Sequence, residues 1–249
     1  MVHLLYLYKK MQFKPALGLS VALIAIAAAF VWLGNWQLER KEDKQSLLDQ
    51  FENAPMLSIE EALKQDYRFS RVQAYGHFDD TRHVLLDNKI LNGRAGVHVL
   101  TPFFLHNGTT VLVNRGWLPL PPDRLHLPPV PTEHSLHTIN GILKKPTTDG
   151  LRLGKRDELV TDQWPQLVTY LELETVSDAL GTPLAPWLLQ LDPADPGGFE
   201  DRQWKAAVMG PEVHGAYAFQ WFALSLATMI IWLTLGVRRA QQQQSSKDQ

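Results

Sequence analysis

The stretch that decides the fold covers residues 211–237 and reads PEVHGAYAFQWFALSLATMIIWLTLGV. Its last 22 residues, 216–237, contain no aspartate, glutamate, lysine or arginine. As a helix rising about 1.5 Å per residue they would extend about 33 Å, enough to cross a hydrocarbon core of about 30 Å. Two arginines follow directly. The sequence therefore predicts a transmembrane helix over residues 216–237, followed by a cytoplasmic tail over residues 238–249.

A second uncharged run, PALGLSVALIAIAAAFVWLG, occupies residues 15–34. It is longer than the apolar core of a signal peptide, which has about 7–15 residues, and no small-residue cleavage site follows it. We therefore expect an uncleaved transmembrane helix over residues 15–34, after a cytoplasmic tail of residues 1–14. Because lysines precede this run and arginines follow the other, the positive-inside rule places both ends of the chain in the cytoplasm.

Residues 35–215, between the two runs, are then expected outside the cytoplasm as one domain. They hold 18 basic and 25 acidic residues, a local charge of −7, whereas the whole chain carries −2. Long segments translocate largely regardless of charge, so the basic residues do not oppose this placement. Nucleic acid is not an expected partner, because its binding requires a local positive excess. No arginine- and serine-rich presequence precedes the first run, which favours a bacterial inner membrane and a periplasmic domain.

The composition also limits the chemistry that the chain can perform. It has no cysteine, which excludes disulfides, zinc thiolates, iron–sulfur clusters and cysteine nucleophiles. The sequence contains no G-x-S-x-G, Walker, dinucleotide-binding or H-E-x-x-H motif. The aspartates at positions 79–80 and 192–195 lie in turn sequences, where aspartate usually caps the backbone. We therefore expect a protein that is not an enzyme.

Helical signals follow the first apolar run. Residues 37–51 lack glycine and proline and carry mixed charges, which predicts a solvated helix continuing out of the membrane. Ser58 followed by Glu61 is typical of a capping box at the start of a short helix. A further helical turn is expected over residues 175–180, closed by Gly181.

Strand signals dominate the rest of the domain. Polar and apolar residues alternate from residue 67 onward, and turn sequences such as Asn92–Gly93 recur at short intervals. A proline-rich crossing loop is expected over residues 119–133. Strands are predicted over residues 71–78, 83–87, 97–105, 109–115, 136–143, 167–173, 187–191 and 204–208. The fold class is therefore membrane α+β, with two transmembrane helices flanking one extracytoplasmic, antiparallel, barrel- or sandwich-like β-rich domain.

The candidate binding residues are His214, Tyr217 and Trp221 at the start of the second apolar run. At spacings of three and seven residues they share one helix face, so an aromatic wall would enter the bilayer below the imidazole. A neutral imidazole is an axial ligand of haem, which also needs an apolar slot and a wet edge for its propionates. The same residues suit an interfacial histidine within an ordinary aromatic belt. From the residues alone, both interpretations stay open.

Three other residues have structural interpretations. Arg115 ends an apolar strand and can bind a carboxylate in a bidentate manner, and pairing with an internal carboxylate such as Asp87 is favoured over a ligand. Trp36 and Arg40, beyond the first run, are interpreted as interface anchors.

Six pieces of this chain match a known family in the same order. They are Gly34–Arg40, Tyr67–Val72 with Gly76–Asp79, Val84–Asn88, Gly96–Pro102, Val111–Pro119 and His214–Trp221. With these pieces between two apolar runs, the chain resembles the surfeit locus protein 1 family, membrane factors for cytochrome c oxidase assembly. Residues 121–210 match only loosely.

The resemblance implies two helices around an external β-rich domain and a role in maturing the haem-containing subunit of the oxidase. In bacterial members a histidine at the position of His214 is linked to binding haem a, which implies iron ligation by His214 beside Tyr217 and Trp221. The implied partner is the catalytic subunit of cytochrome c oxidase, with haem a synthase and membrane lipid as further candidates. The alternative is a scaffold that holds the nascent subunit without binding haem. The family usually has two asparagines where this chain has Glu212 and Val213.

Overall fold

The computed structural model describes residues 13–121, 126–131, 135–146, 159–206 and 209–246. The chain divides into two compact units. The first joins Met1–Leu48 with Ala207–Gln249, and the second is Asp49–Ala206.

Two long helices form the first unit: α1, Leu17–Glu52, and α4, Pro211–Ser245. Each contains a window that is long and apolar enough to span a membrane, and only 11% of each window is buried inside the protein. The predicted helix over residues 37–51 is confirmed as the continuation of α1, which ends just before Pro55. Both helices extend past the predicted spans, so the span limits themselves stay predictions.

The second unit is built on an eight-stranded sheet. In chain order its elements are β1 (Met56–Ser58), α2 (Ile59–Ala62), β2 (Phe69–Phe78), β3 (Val84–Leu91), β4 (Arg94–Leu105), β5 (Thr110–Pro119), β6 (His137–Lys144), β7 (Gln166–Val168), α3 (Leu173–Leu180) and β8 (Leu184–Leu191). The strand order is β1-β2-β6-β8-β5-β4-β3-β7, and β2 also pairs with β4. Strands β2, β6, β8, β5 and β4 therefore close into a barrel, which confirms the barrel alternative.

The sheet is mixed, so the prediction of an antiparallel domain is wrong in part. Strand β1 runs parallel to β2, β7 to β3, and β8 to β5. Parallel neighbours need a crossover connection rather than a hairpin, and the segment from β7 through α3 leads into β8. Alternation in the sequence could not show this, because a strand has the same two-residue period whichever way its partner runs.

The barrel core follows from the alternation that the sequence displays. In β2 the side chains of Val72, Ala74 and Phe78 are about 1% exposed, whereas Gln73 and Tyr75 between them are exposed. The buried set packs with matching positions of the other barrel strands, including Phe103, Val113, Ile139 and Leu189. The predicted capping box at Ser58 and the turn at Asn92–Gly93 are also confirmed.

Two strand predictions need correction. The strand expected over residues 167–173 shortens to β7, because Leu173 already begins α3. The helical turn is confirmed, and Gly181 ends it at φ 63°, in the left-handed region that glycine favours. No strand covers residues 204–206, and the Trp204 indole donates Nε1–H to the Leu191 carbonyl at 2.7 Å. Residues 207–208 lie outside the described part of the chain.

Candidate functional site

His214 lies in the first turns of α4, after the N-cap residue Gly210 and the first helical residue Pro211. Proline suits this position, since it lacks an N–H that would have no helical partner there. The imidazole is half-buried, and its Nδ1 lies 2.9 Å from Oε1 of Gln37 on α1. This hydrogen bond joins two helices that are 177 positions apart in the chain.

The contact with Gln37 determines which ring nitrogen carries the proton. An amide oxygen can only accept, so Nδ1 of His214 donates. Nε2 is buried and has no hydrogen-bond partner among the described residues. A proton on Nε2 would leave a buried donor unpaired, at a cost of about 1–3 kcal/mol. With Nδ1 donating to Gln37, the neutral form of this imidazole has its lone pair on Nε2, and that is the form that binds iron.

Gln37 is the site residue that the sequence reasoning missed. The sequence placed Gln37 within the piece Gly34–Arg40 that resembles the family, but it predicted no site role for this residue. One signal was present: Gln37 follows Gly34 by three residues and therefore lies on the same helix face. A glycine within a span commonly marks the place where two helices approach closely.

The two predicted aromatic residues have different surroundings. Trp221 is half-buried, and its ring stacks on Phe30 of α1 with centroids 5.6 Å apart and an interplanar angle of 28°. Tyr217 is 46% exposed on the side of α4. The structure thus brings His214 and Trp221 against α1, while Tyr217 stays at the edge of the helix pair.

The seam between α1 and α4 is filled by small side chains and aromatic rings. A Cβ on Gly34 would lie 2.6 Å from the ring of Phe222, so a side chain at this position requires that ring to move. Further along, Ser225 donates its hydroxyl to the Ala27 carbonyl at 3.1 Å. The two helices therefore pack closely at this level.

Glu212 and Val213 also lie in the first turn of α4. The Glu212 carboxylate folds back against Gly210, at the positive end of the helix dipole, where a negative charge is favourable. On the other side, the Lys41 stem runs along Gly215, with its Cδ 3.5 Å from the position of a Cβ. A charged residue from each helix thus lies against a glycine in the first turns of α4.

A cavity of about 450 Å³ lies at the opposite end of the helix pair, lined by residues that include Ser20, Trp232 and Arg238. Ser20 precedes Gln37 by 17 residues, which is roughly 25 Å along a helix. The cavity is therefore not part of the His214 site.

Arg115 contacts backbone carbonyls and aromatic rings within the sheet unit, and its pairing with Asp87 stays a prediction. It is 4% exposed, donates Nε–H to the Gly197 carbonyl at 2.7 Å, and lies between the rings of Phe78 and Phe199. Burial lowers the pKa of Arg115 to about 10, although the nearby Asp195 carboxylate opposes this shift. Its guanidinium therefore joins the loop after β8 to the barrel.

Comparison with known proteins gives consistent matches over most of the chain. The SURF1 family model matches residues 24–226. A SURF1-like protein of Monosiga brevicollis is 25% identical over 236 residues, covering 88% of this chain and 87% of that protein. An uncharacterized SURF1-like protein of Mycobacterium tuberculosis is 26% identical over 224 residues, covering 85% and 80%.

Surfeit locus protein 1 of Rattus norvegicus is 25% identical over 244 residues, covering 87% of this chain and 75% of that protein. The region matched by the family model includes both partners of the interhelical hydrogen bond, Gln37 and His214. It also includes every strand of the sheet. The predicted resemblance is thus confirmed, and the chain belongs to the SURF1 family.

Proposed function

We propose that this protein is a membrane-anchored assembly factor that receives haem a at His214 and presents it to the catalytic subunit of cytochrome c oxidase. Membership of the SURF1 family points to a role in cytochrome c oxidase assembly. The observation that supports the haem step is that Nε2 of His214 has no hydrogen-bond partner among the described residues, while Gln37 holds Nδ1.

The residues present fit a haem ligand. Haem iron takes a neutral imidazole nitrogen whose ring is oriented by a hydrogen bond to its other nitrogen. Gln37 provides that bond, and the ring pair of Trp221 and Phe30 provides an apolar surface one to two turns below. Tyr217, exposed at the edge, is placed to contact a macrocycle lying along the helix pair.

The role needs binding and release rather than bond making. Haem a supplies the redox centre of the oxidase after transfer, and the chaperone only holds it. Nε2 is a single neutral ligand from a half-buried ring, so its bond to iron can be exchanged for a ligand on the receiving subunit. A non-enzymatic role follows, with haem a synthase as the proposed source.

We place the two apolar helices across a bacterial inner membrane, with the sheet unit in the periplasm. The support is the length and composition of both helices, together with the basic residues that flank the two apolar runs on their cytoplasmic sides. His214 then lies at the periplasmic border, where a haem released from the bilayer would meet the helix pair.

The test is co-expression with haem a synthesis, followed by purification and measurement of the Soret band. We expect haem a in the wild type and a loss of at least about tenfold in His214→Ala, because the axial ligand is removed. The matched control is His106→Ala, at an exposed histidine of the sheet unit, which should retain haem. Wild-type protein without haem a, or equal loading in both variants, contradicts the proposal.

The alternative is a scaffold that holds the nascent oxidase subunit without binding haem. The burial of Nε2 and the filled seam favour it, because haem can reach the nitrogen only after neighbouring groups move. Oxidase activity in cells that carry His214→Ala separates the two functions. Full assembly with the variant supports the scaffold, whereas loss of assembly together with loss of haem supports the chaperone.

A further inference from the structure

The cavity at the end of the helix pair opposite His214 lies entirely within the first unit. Its volume of about 450 Å³ is within the usual range of small-molecule sites, about 300–1,000 Å³. Its walls come from residues 15–20, at the start of α1, and from residues 232–242 of α4. None of these residues takes part in the haem binding proposed above.

Hydrogen bonds between the two segments fix the walls of this cavity. The Trp232 indole donates Nε1–H to Oγ of Ser20 at 2.9 Å, and this hydroxyl donates in turn to the Ala16 carbonyl at 2.9 Å. The backbone N–H of Lys14 donates to the Gly236 carbonyl at 3.2 Å. The indole N–H and the serine hydroxyl proton thus already have partners inside the protein. A ligand in the cavity must therefore take its hydrogen bonds from other side chains of the walls.

The remaining strong donors in the cavity are two adjacent arginines. Arg238 and Arg239 both line it and are exposed, and neither forms an ion pair within the part of the chain that the structure describes. The sequence gives the reason, because residues 13–38 and 213–246 contain no aspartate or glutamate. The two positive charges are therefore not balanced by a carboxylate from either segment. Planar guanidinium groups of this kind match the oxygens of a phosphate.

The cavity wall changes from apolar to charged along the axis of α4. The ring of Trp232 and the side chain of Leu235 form the part nearer the middle of the apolar run, whereas Arg238 and Gln242 lie nearer its end. These positions cover ten residues, which is about 15 Å along a helix. A phospholipid has the same order of groups, with acyl chains and glycerol on one side of its phosphate. A soluble phosphate would use only the charged end.

We propose that this cavity binds the headgroup phosphate of an anionic phospholipid from the cytoplasmic leaflet. Arg238 and Arg239 bind the phosphate, and Trp232 and Leu235 contact the apolar part of the lipid. Basic pockets between transmembrane helices on the cytoplasmic side bind such headgroups in other proteins. The proposal rests on the proposed placement of the two helices across the membrane, with both ends of the chain in the cytoplasm. It does not rest on haem binding by His214.

The test is calorimetric titration of the full-length protein in dodecyl maltoside and a buffer without phosphate. The titrants are dihexanoyl phosphatidylglycerol, which is anionic, dihexanoyl phosphatidylcholine, which is zwitterionic, and inorganic phosphate, each corrected for the heat of mixing with empty micelles. We expect the anionic lipid to bind at least about tenfold more tightly than the zwitterionic one, the effect of one charge-assisted hydrogen bond. Inorganic phosphate should bind more weakly than the anionic lipid, because it does not contact the apolar part of the cavity.

The lipid preference should depend on the two arginines. A variant that combines Arg238→Gln with Arg239→Gln should bind both lipids within about twofold of each other, because the charged hydrogen bonds are lost. The matched control combines Arg40→Gln with Lys44→Gln and also removes two positive charges. Arg40 follows Ser20 by 20 residues, about 30 Å along α1 and well beyond the screening length of about 10 Å. The control should therefore keep the preference.

Equal binding of the two lipids by the folded wild type, or equal losses in the variant and the control, overturns the proposal. Inorganic phosphate that binds as tightly as the anionic lipid overturns the assignment to a lipid. Thermal melting verifies folding, and Arg239→Gln alone replaces the double variant if the latter does not fold.

A green fluorescent protein fused to the C-terminus tests the membrane placement separately, because it fluoresces in the cytoplasm and not after export in unfolded form. A membrane fraction without fluorescence overturns the placement and the cytoplasmic leaflet with it. Fluorescence together with equal binding of the two lipids overturns the lipid site alone.

Discussion

Gln37→Leu tests the reasoning about the His214 tautomer. The substitution keeps the approximate volume of the side chain and removes the oxygen that accepts the Nδ1–H at 2.9 Å. The half-buried donor then loses its partner, at a cost of about 1–3 kcal/mol. The ring is free to rotate or to move its proton to Nε2, where a proton blocks coordination. Loss of such an orienting hydrogen bond typically lowers metal affinity by about 10–100-fold.

Two measurements follow the effect of Gln37→Leu. Haem a content of the purified protein should fall by about 10–100-fold. Nitrogen NMR of histidine-labelled apo-protein, with His214 assigned through His214→Ala, reports the tautomer without haem. The wild type should show a protonated Nδ1 and an unprotonated Nε2, and the variant should lose that signature. The control is Gln220→Leu, because Gln220 is an exposed glutamine of the same helix as His214. A variant with unchanged haem content and unchanged tautomer refutes the reasoning.

Two further predictions concern stability. Gly34→Leu should destabilise the helix pair by about 1–3 kcal/mol, because a Cβ at position 34 would lie 2.6 Å from the Phe222 ring. Gly18→Leu is the control and should have little effect, since nothing lies within 4 Å of a Cβ at position 18. Equal melting temperatures of the two variants in detergent would contradict this prediction. Burial, together with the charge of Arg115, lowers the pKa of His83 from 6.5 to about 4. As the pH drops, the unfolded chain therefore binds a proton at this histidine before the folded protein does. The free energy of unfolding should fall by roughly 3 kcal/mol between pH 6.5 and pH 4. Urea unfolding at several pH values should show a smaller acid-induced loss for His83→Gln, and an unchanged loss would exclude His83 as its source.

Much of the secondary structure follows from local sequence. The helix over residues 37–51 was predictable because an uninterrupted run of helix-compatible residues continues an apolar helix. In β2 the alternation ending at Phe78 identified both the strand and its buried face, since a barrel wall contacts the core on one side only. Signals of this kind depend on a few neighbouring residues, so they can be recognised in the sequence without knowledge of the fold.

The prediction failed where the outcome depends on distant partners. The direction of a strand is one case. Strand β8 runs parallel to β5 after the connection through α3, and the residues of β8 themselves do not indicate this direction. The contacts of His98 are another, because Asn114 and Trp204 reach this imidazole from separate parts of the chain.

The sequence by itself determined the two apolar helices, the capped and alternating segments between them, and the family, with His214 as the candidate ligand. Only the tertiary structure decided that Gln37 holds His214 through Nδ1 and leaves Nε2 as the nitrogen with a lone pair. The reason is physical. Composition and periodicity are properties of residues that are close together in the sequence. A hydrogen bond between residues 177 positions apart forms only when the two helices approach closely, as they do at Gly34.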